Sequence, residues 1–233
     1  MKNTLEYITN TILAERILFY LDSKKLVNWA IQIIQMGYEN EDLYILAGAD
    51  SDTTEEREKY FWKIINDLKI EYITSNDELI EFYAINIAQK AVNKEIDIDV
   101  AFNKMLGIVS ATSYDSRYFA FEAIKEDLDY LHYTNRTIYR DSLTLDNYKE
   151  YILEEFNIFL EIRKLKISEK DLNSFYCNKC KKFVGKKFKK KFQLKRPFQY
   201  CVCVCEICNS KDLLFPHNHL TLKLLIEKYK KSV

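Results

Sequence analysis

The sequence predicts a mostly α fold. An acidic multi-helix domain over residues 1–167 precedes a small, basic β domain over residues 168–233 that closes with one further helix. Three observations predict it. Of 233 residues only 4 are glycine and 2 proline, and Pro197 and Pro216 both fall in the last quarter, so the first 165 residues contain few breakers of a helical chain. Apolar residues in that stretch recur at three- and four-residue spacing, the period of one helix face. The charge also reverses: residues 1–165 carry 18 Lys+Arg against 30 Asp+Glu, and residues 166–233 carry 17 against 5. A net charge of zero thus conceals two surfaces of opposite sign, which can attract one another or an outside partner.

Each element has its own signal. From Thr4 to about Asp22, Leu5, Ile8, Ile12, Leu13, Ile17 and Leu18 form an apolar stripe. Ser23 is placed to cap a second helix carrying Leu26, Trp29, Ala30, Ile33 and Ile34, and Gly37 stands where a left-handed glycine ends a helix. Thr53 with Glu56, and Ser75 with Glu78, each spell a capping box, opening helices near 54–68 and 76–93. Further periodic runs fit 98–110, 115–132 and 145–165, for seven or eight helices in the acidic domain. Ser168 starts a short helix at the junction near residues 165–172, and Leu220 to Tyr229 forms the terminal amphipathic helix. The junction has neither glycine nor proline, so the expected domains are not joined by a flexible linker.

All six cysteines lie between Phe175 and Ser210. Cys177/Cys180 and Cys205/Cys208 are both spaced C-x2-C, which aims two thiolates at one cation from a tight turn, and two such turns supply the four soft ligands of a tetrahedral metal. Cys201, Cys203 and Cys205 alternate with Val202 and Val204, so the three cysteines share one face of a strand. Cys205 is assigned as the ligand because it alone forms the turn with Cys208, and Asn209 after it tolerates the left-handed conformation such turns use. Cys201 and Cys203 are read as small buried apolar residues, with a second metal or redox pair as the alternative.

On these two pairs the stretch resembles a zinc ribbon, in which each C-x2-C turn tips a hairpin and the metal clamps the turns together. The resemblance implies one structural zinc held by Cys177, Cys180, Cys205 and Cys208. A second stretch, Leu26-Val-Asn-Trp29-Ala30, Gly37, Leu43-Tyr-Ile-Leu46-Ala47-Gly48 and Glu55 to Phe61, resembles a pattern in small bacterial proteins of toxin-immunity and defence neighbourhoods. It implies a bacterial origin and assigns no catalytic position. Trp29 is read as a core anchor and Gly48 as a turn or close-approach glycine.

Between the cysteine pairs runs KKFVGKKFKKKFQLKR, from Lys181 to Arg196. As a strand it places Phe188, Phe192 and Leu194 on a face that grips the ribbon and Lys187, Lys189, Lys191 and Lys195 on the other, with Arg196 at its end. Same-face side chains repeat at about 7 Å, comparable with phosphates along an extended strand. Phe183, Phe198 and Tyr200 nearby add rings on which bases stack.

Catalytic patterns are few. The sequence has no G-x-x-x-x-G-K-[ST], G-x-G-x-x-G or G-x-S-x-G motif. His132 is read as a half-buried helix histidine rather than an acid or base. His217 and His219, in Pro216-His-Asn-His219, share a face if extended, and are weighed as ligands of a second ion or as substitutes for a cysteine. Asp50, Asp52, Glu55 and Glu56 are helix-start acids that need no cation, because a helix N-terminus favours negative charge. No apolar run approaches the roughly 20 residues that span a bilayer, and the first residues lack a signal-peptide pattern, which predicts a cytoplasmic protein. Three functions follow in descending order. The basic ribbon binds nucleic acid or another anionic partner; the acidic helices bind a toxin or effector; or scattered carboxylates serve a nuclease-type enzyme.

Overall fold

The computed structural model describes residues 4–18 and 22–231. Among them are ten helices and five short strands, so the chain is mostly α with its small antiparallel sheets near the C-terminal end, followed by a helix. Helices α1 (Leu5–Leu18), α2 (Lys24–Gln35), α3 (Glu41–Ala47), α4 (Thr54–Asp67), α5 (Asn76–Val92), α6 (Ile98–Ala111), α7 (Phe119–Thr134) and α8 (Tyr148–Leu165) precede residue 167. The expected end of the first helix, residues 19–21, lies outside the described residues. By compactness the chain divides into residues 1–87 with 100–118 and residues 88–99 with 119–233.

In the first unit, α2 packs against α1, α3 and α4. Trp29 is the anchor: it is buried, its indole N–H donates to Thr9 Oγ1 at 3.1 Å, and Phe61 meets it edge-on with ring centroids 4.6 Å apart. The capping box of Thr53 and Glu56 is complete, Ser75 Oγ accepts the Glu78 N–H at 3.4 Å, and Gly37 sits at φ +90°. Ser23 departs from expectation. It makes no cap bond; buried, its Oγ accepts from Arg57 Nη1 at 2.7 Å, while Asp22 Oδ1 takes the Lys24 N–H at 3.0 Å. A buried guanidinium needs acceptors more than an exposed helix end does, and the neighbouring aspartate serves the helix. Gly48 ends α3, a helix that the sequence reading did not delimit.

In the second unit, α8 and the terminal helix α10 (His219–Lys230) pack through Ile158, Leu222, Leu225 and Ile226, joined by Ile162, Leu165 and Ile167. The junction expected near residues 165–172 lies inside this unit, with the short α9 (Glu169–Leu172) started by Ser168. Each fully buried Leu or Ile here contributes about 1.5–3 kcal/mol, so the shared apolar seam ties the basic C-terminal stretch to α8. Between α9 and α10 lie β1 (Phe175–Cys177), β2 (Lys182–Val184), β3 (Lys186–Phe192), β4 (Gln199–Cys205) and β5 (Leu213–Leu214). They form an antiparallel sheet in the order β2-β1-β5 and a separate β3-β4 hairpin.

Candidate metal centre and basic hairpin

Two turns of the same construction face each other. In the first, Cys180 N–H points at Cys177 Sγ at 3.4 Å, Lys181 N–H donates to the Cys177 carbonyl at 2.8 Å, and Lys181 is left-handed at φ 54°. In the second, Cys208 N–H points at Cys205 Sγ at 3.5 Å, Asn209 N–H donates to the Cys205 carbonyl at 3.0 Å, and Asn209 is left-handed at φ 58°. Asn209 was foreseeable from its residue type. Lys181 was not, because lysine gives no such signal and here accepts the conformation that the turn imposes.

The turns bring the four Sγ atoms within 4.8 Å of one another. Cys177 and Cys208 are 3.7 Å apart and Cys180 and Cys205 3.9 Å apart. A tetrahedral ion with metal–sulfur bonds of about 2.3 Å sets its sulfurs about 3.8 Å apart, so the cluster has the dimensions of a thiolate metal site, consistent with zinc. The thiols already compete for charge. The crowded sulfurs, Cys208 foremost, push the Cys180 pKa up to about 12, while Cys180 and the Ser210 backbone draw that of Cys208 down to about 7. One thiolate thus suppresses its neighbours, and a cation at the centre is what allows four.

The other candidates fall elsewhere. Cys203 is half-buried against this centre and Cys201 is exposed, so Cys201 is not the buried residue expected: it lies opposite Lys190 on the projecting hairpin, where no core covers it. Among the described residues the four cysteines are the group within metal-binding reach, and neither His217, His219 nor the Asp50–Glu56 acids join it. His132 is exposed rather than half-buried. His217 meets Asn173 Oδ1 at 3.3 Å. His219 is buried, with Nε2 2.7 Å from Glu155 Oε2, Nδ1 3.3 Å from Glu154 Oε2 and its ring stacked on Tyr151. Arg140 lies 3.6 Å from the same Glu155 oxygen, so this is an internal ion cluster securing α10 to α8. Burial raises the Glu155 pKa, and His219 and Arg140 more than offset it, leaving the carboxyl below its ordinary value.

Comparison of the chain with protein-family models, curated proteins and solved structures found no match. The reading of the site therefore rests on its own residues.

The β3-β4 hairpin pairs Lys186 with Cys205 through Phe192 with Gln199. Directly opposite residues share a face, so Lys187, Lys189 and Lys191 lie with Val204, Val202 and Tyr200, and Phe188 lies with Cys203. The phenylalanines do not grip the ribbon: Phe188 is 61% and Phe192 78% exposed, and Leu194 at the tip is 98% exposed. The Cys203–Cys205 end of β4 is covered, with Val204 and Cys205 buried and Cys205 in one cluster with Phe175, Val184 and Leu213, whereas Phe188, Phe192 and the tip stay exposed. Lys195 and Arg196 belong to the tip beyond β3 rather than to the lysine face, with Arg196 5.9 Å over the Phe198 ring. No acidic residue occurs from Lys182 to Cys205. The Lys211 ammonium beside Lys191, with Lys189 adding to it, holds Lys191 below its ordinary pKa.

Among the described residues no helix is long and apolar enough to cross a membrane.

Proposed function

We propose that this is a non-catalytic zinc protein whose basic ribbon binds nucleic acid through the β3-β4 hairpin. Four thiolates fill the coordination of a tetrahedral zinc and leave no position for an activated water, which makes the ion structural. The observation that carries the binding reading is the lysine face itself. Lys187, Lys189 and Lys191 stand along one strand with Lys211 against Lys191, close enough to depress its pKa, and no acid in the strand pair offsets them. Such a cluster is relieved by an external polyanion, and phosphate contacts release counterions. The exposed Phe188, Phe192 and Phe198 favour a single strand, whose unpaired bases can stack.

The test is fluorescence anisotropy of labelled single- and double-stranded oligonucleotides with the zinc-loaded full chain across a salt series. Three to five phosphate contacts give a log–log salt slope of about −2 to −4 for single strands. Lys189→Glu with Lys191→Glu lowers both affinity and slope at unchanged zinc content. Binding that survives this double change removes the hairpin as the site. No binding by the parent chain moves the function to the acidic helices and a protein partner.

A further inference from the structure

The second unit contains a groove of about 620 Å³ that the lysine ladder does not include. Its floor is aromatic and apolar: Tyr176 of β1 and Phe183 of β2 meet edge to face, centroids 5.2 Å apart, beside Leu224 of α10. Its rim is cationic. Lys181 ends the first cysteine turn and Lys182 opens β2, while Lys228 lies in the last turn of α10 and Lys231 caps it, against one acid, Glu227. Lys228 Nζ stands 5.4 Å over the Phe183 ring. The volume lies within the range of small-ligand sites, and aromatic walls with a few convergent charges are what such sites share.

A second groove shows the contrast. Among its lining residues, Lys94 and Lys149 face three acids, Glu95, Asp97 and Glu150, so its charges are compensated from within. The groove at Phe183 has four lysines to one glutamate, and two aromatic rings set at 63° to one another among them. A ligand that matches both features is anionic at one end and planar at the other.

We propose that this groove is a nucleotide subsite, taking a base against Tyr176 and Phe183 and its phosphate among Lys181, Lys182, Lys228 and Lys231. The inference rests on the nucleic-acid reading above and extends it to a place. Gly185 alone separates β2 from β3, so one stretch of chain leads from the groove onto the lysine face. The Cys177–Cys180 turn and the start of β2 present Lys181 and Lys182, and the C-terminal end of α10 presents the other two lysines. The subsite therefore exists only while the metal centre and the α8–α10 seam hold their parts.

The experiment compares labelled oligo-dT with an abasic strand of the same length on the zinc-loaded full chain, with free dTMP as competitor. Phe183→Leu keeps the apolar volume and removes the ring. It weakens oligo-dT binding about fivefold or more, the loss of one stacked base, and leaves the abasic strand unchanged. Phe183→Tyr restores binding. Lys228→Glu weakens both strands. Competition by dTMP that Phe183→Leu abolishes identifies a free nucleotide as a sufficient ligand; stacking-dependent binding of oligo-dT without such competition identifies a nucleotide within a strand. If Phe183→Leu and Lys228→Glu bind as the parent does while Lys189→Glu/Lys191→Glu binds weakly, the groove proposal is overturned and the hairpin reading stands. No binding by the parent of strand or dTMP overturns both.

Discussion

Five cysteines lie in or against the metal centre, and the geometry says which four matter. Replacing Cys205 with Ser removes a sulfur that sits 3.9 Å from Cys180, on an edge of the tetrahedron. Replacing Cys203, half-buried beside the centre and outside the four-sulfur group, removes none. A structural zinc site contributes about 10–16 kcal/mol at neutral pH, so an even share per thiolate is about 3–4 kcal/mol, or a factor on the order of 100 to 1000 in affinity. Serine is a poor substitute because its hydroxyl does not ionise as a thiol does. The assay is zinc transfer to a chromophoric chelator, followed at increasing chelator concentration for the parent, Cys205→Ser and Cys203→Ser. Cys205→Ser should release zinc at chelator levels about two orders of magnitude lower, and Cys203→Ser should match the parent. Equal loss from the two variants would refute the assignment, because it would mean that Cys203 exchanges with Cys205 as the fourth ligand.

Other consequences follow from the helical parts. The Glu155 pKa is lowered in the folded chain, so the stability it contributes is complete above its ordinary value of 4.5 and is lost as pH falls below that through the folded value. Glu155→Gln should therefore flatten the acid arm of a plot of urea midpoint against pH, and should cost about 3–5 kcal/mol near neutrality by stranding Arg140 and His219; an acid arm as steep as the parent's would discount the cluster. Ser23→Ala removes the 2.7 Å acceptor of buried Arg57 and should cost about 1–3 kcal/mol. In an Arg57→Met background the same change should cost much less; an undiminished cost would return Ser23 to a capping role.

The parts of the fold that were legible in the sequence are those where a short stretch decides its own structure. The capping box at Thr53, Gly37 after α2 and the two C-x2-C turns are local chemistry, and each stands where its residues put it. What was not legible depends on partners distant in sequence. Ser23 carries a capping residue's signal, but a guanidinium 34 positions later claims its hydroxyl. For His219 the sequence left a metal role as a minor alternative, and only the meeting of α10 with α8 shows two glutamates at its ring nitrogens. Phe188 and Phe192 alternate as a buried strand face does, but alternation reports only that two faces differ, and both rings here stay exposed.

The basic charge of the C-terminal stretch is divided by face, and α10 allows that division to be tested within one helix. Lys223 and Lys230, seven residues apart and so on one side, pair with Glu154 and Glu161 of α8. Lys228 and Lys231 line the groove over Phe183. Lys223→Glu and Lys228→Glu change the net charge identically. A general electrostatic attraction would thus weaken nucleic-acid binding equally in both. Placement on two faces separates them. Lys223→Glu sets a carboxylate against Glu154 beside the buried His219–Glu155 pair and should lower stability by about 1 kcal/mol while the folded protein binds as before. Lys228→Glu should leave zinc content unchanged and weaken binding. Urea titration and anisotropy on the same two zinc-loaded proteins separate the cases, and equal binding losses would mean that affinity follows total charge rather than the placement of these lysines.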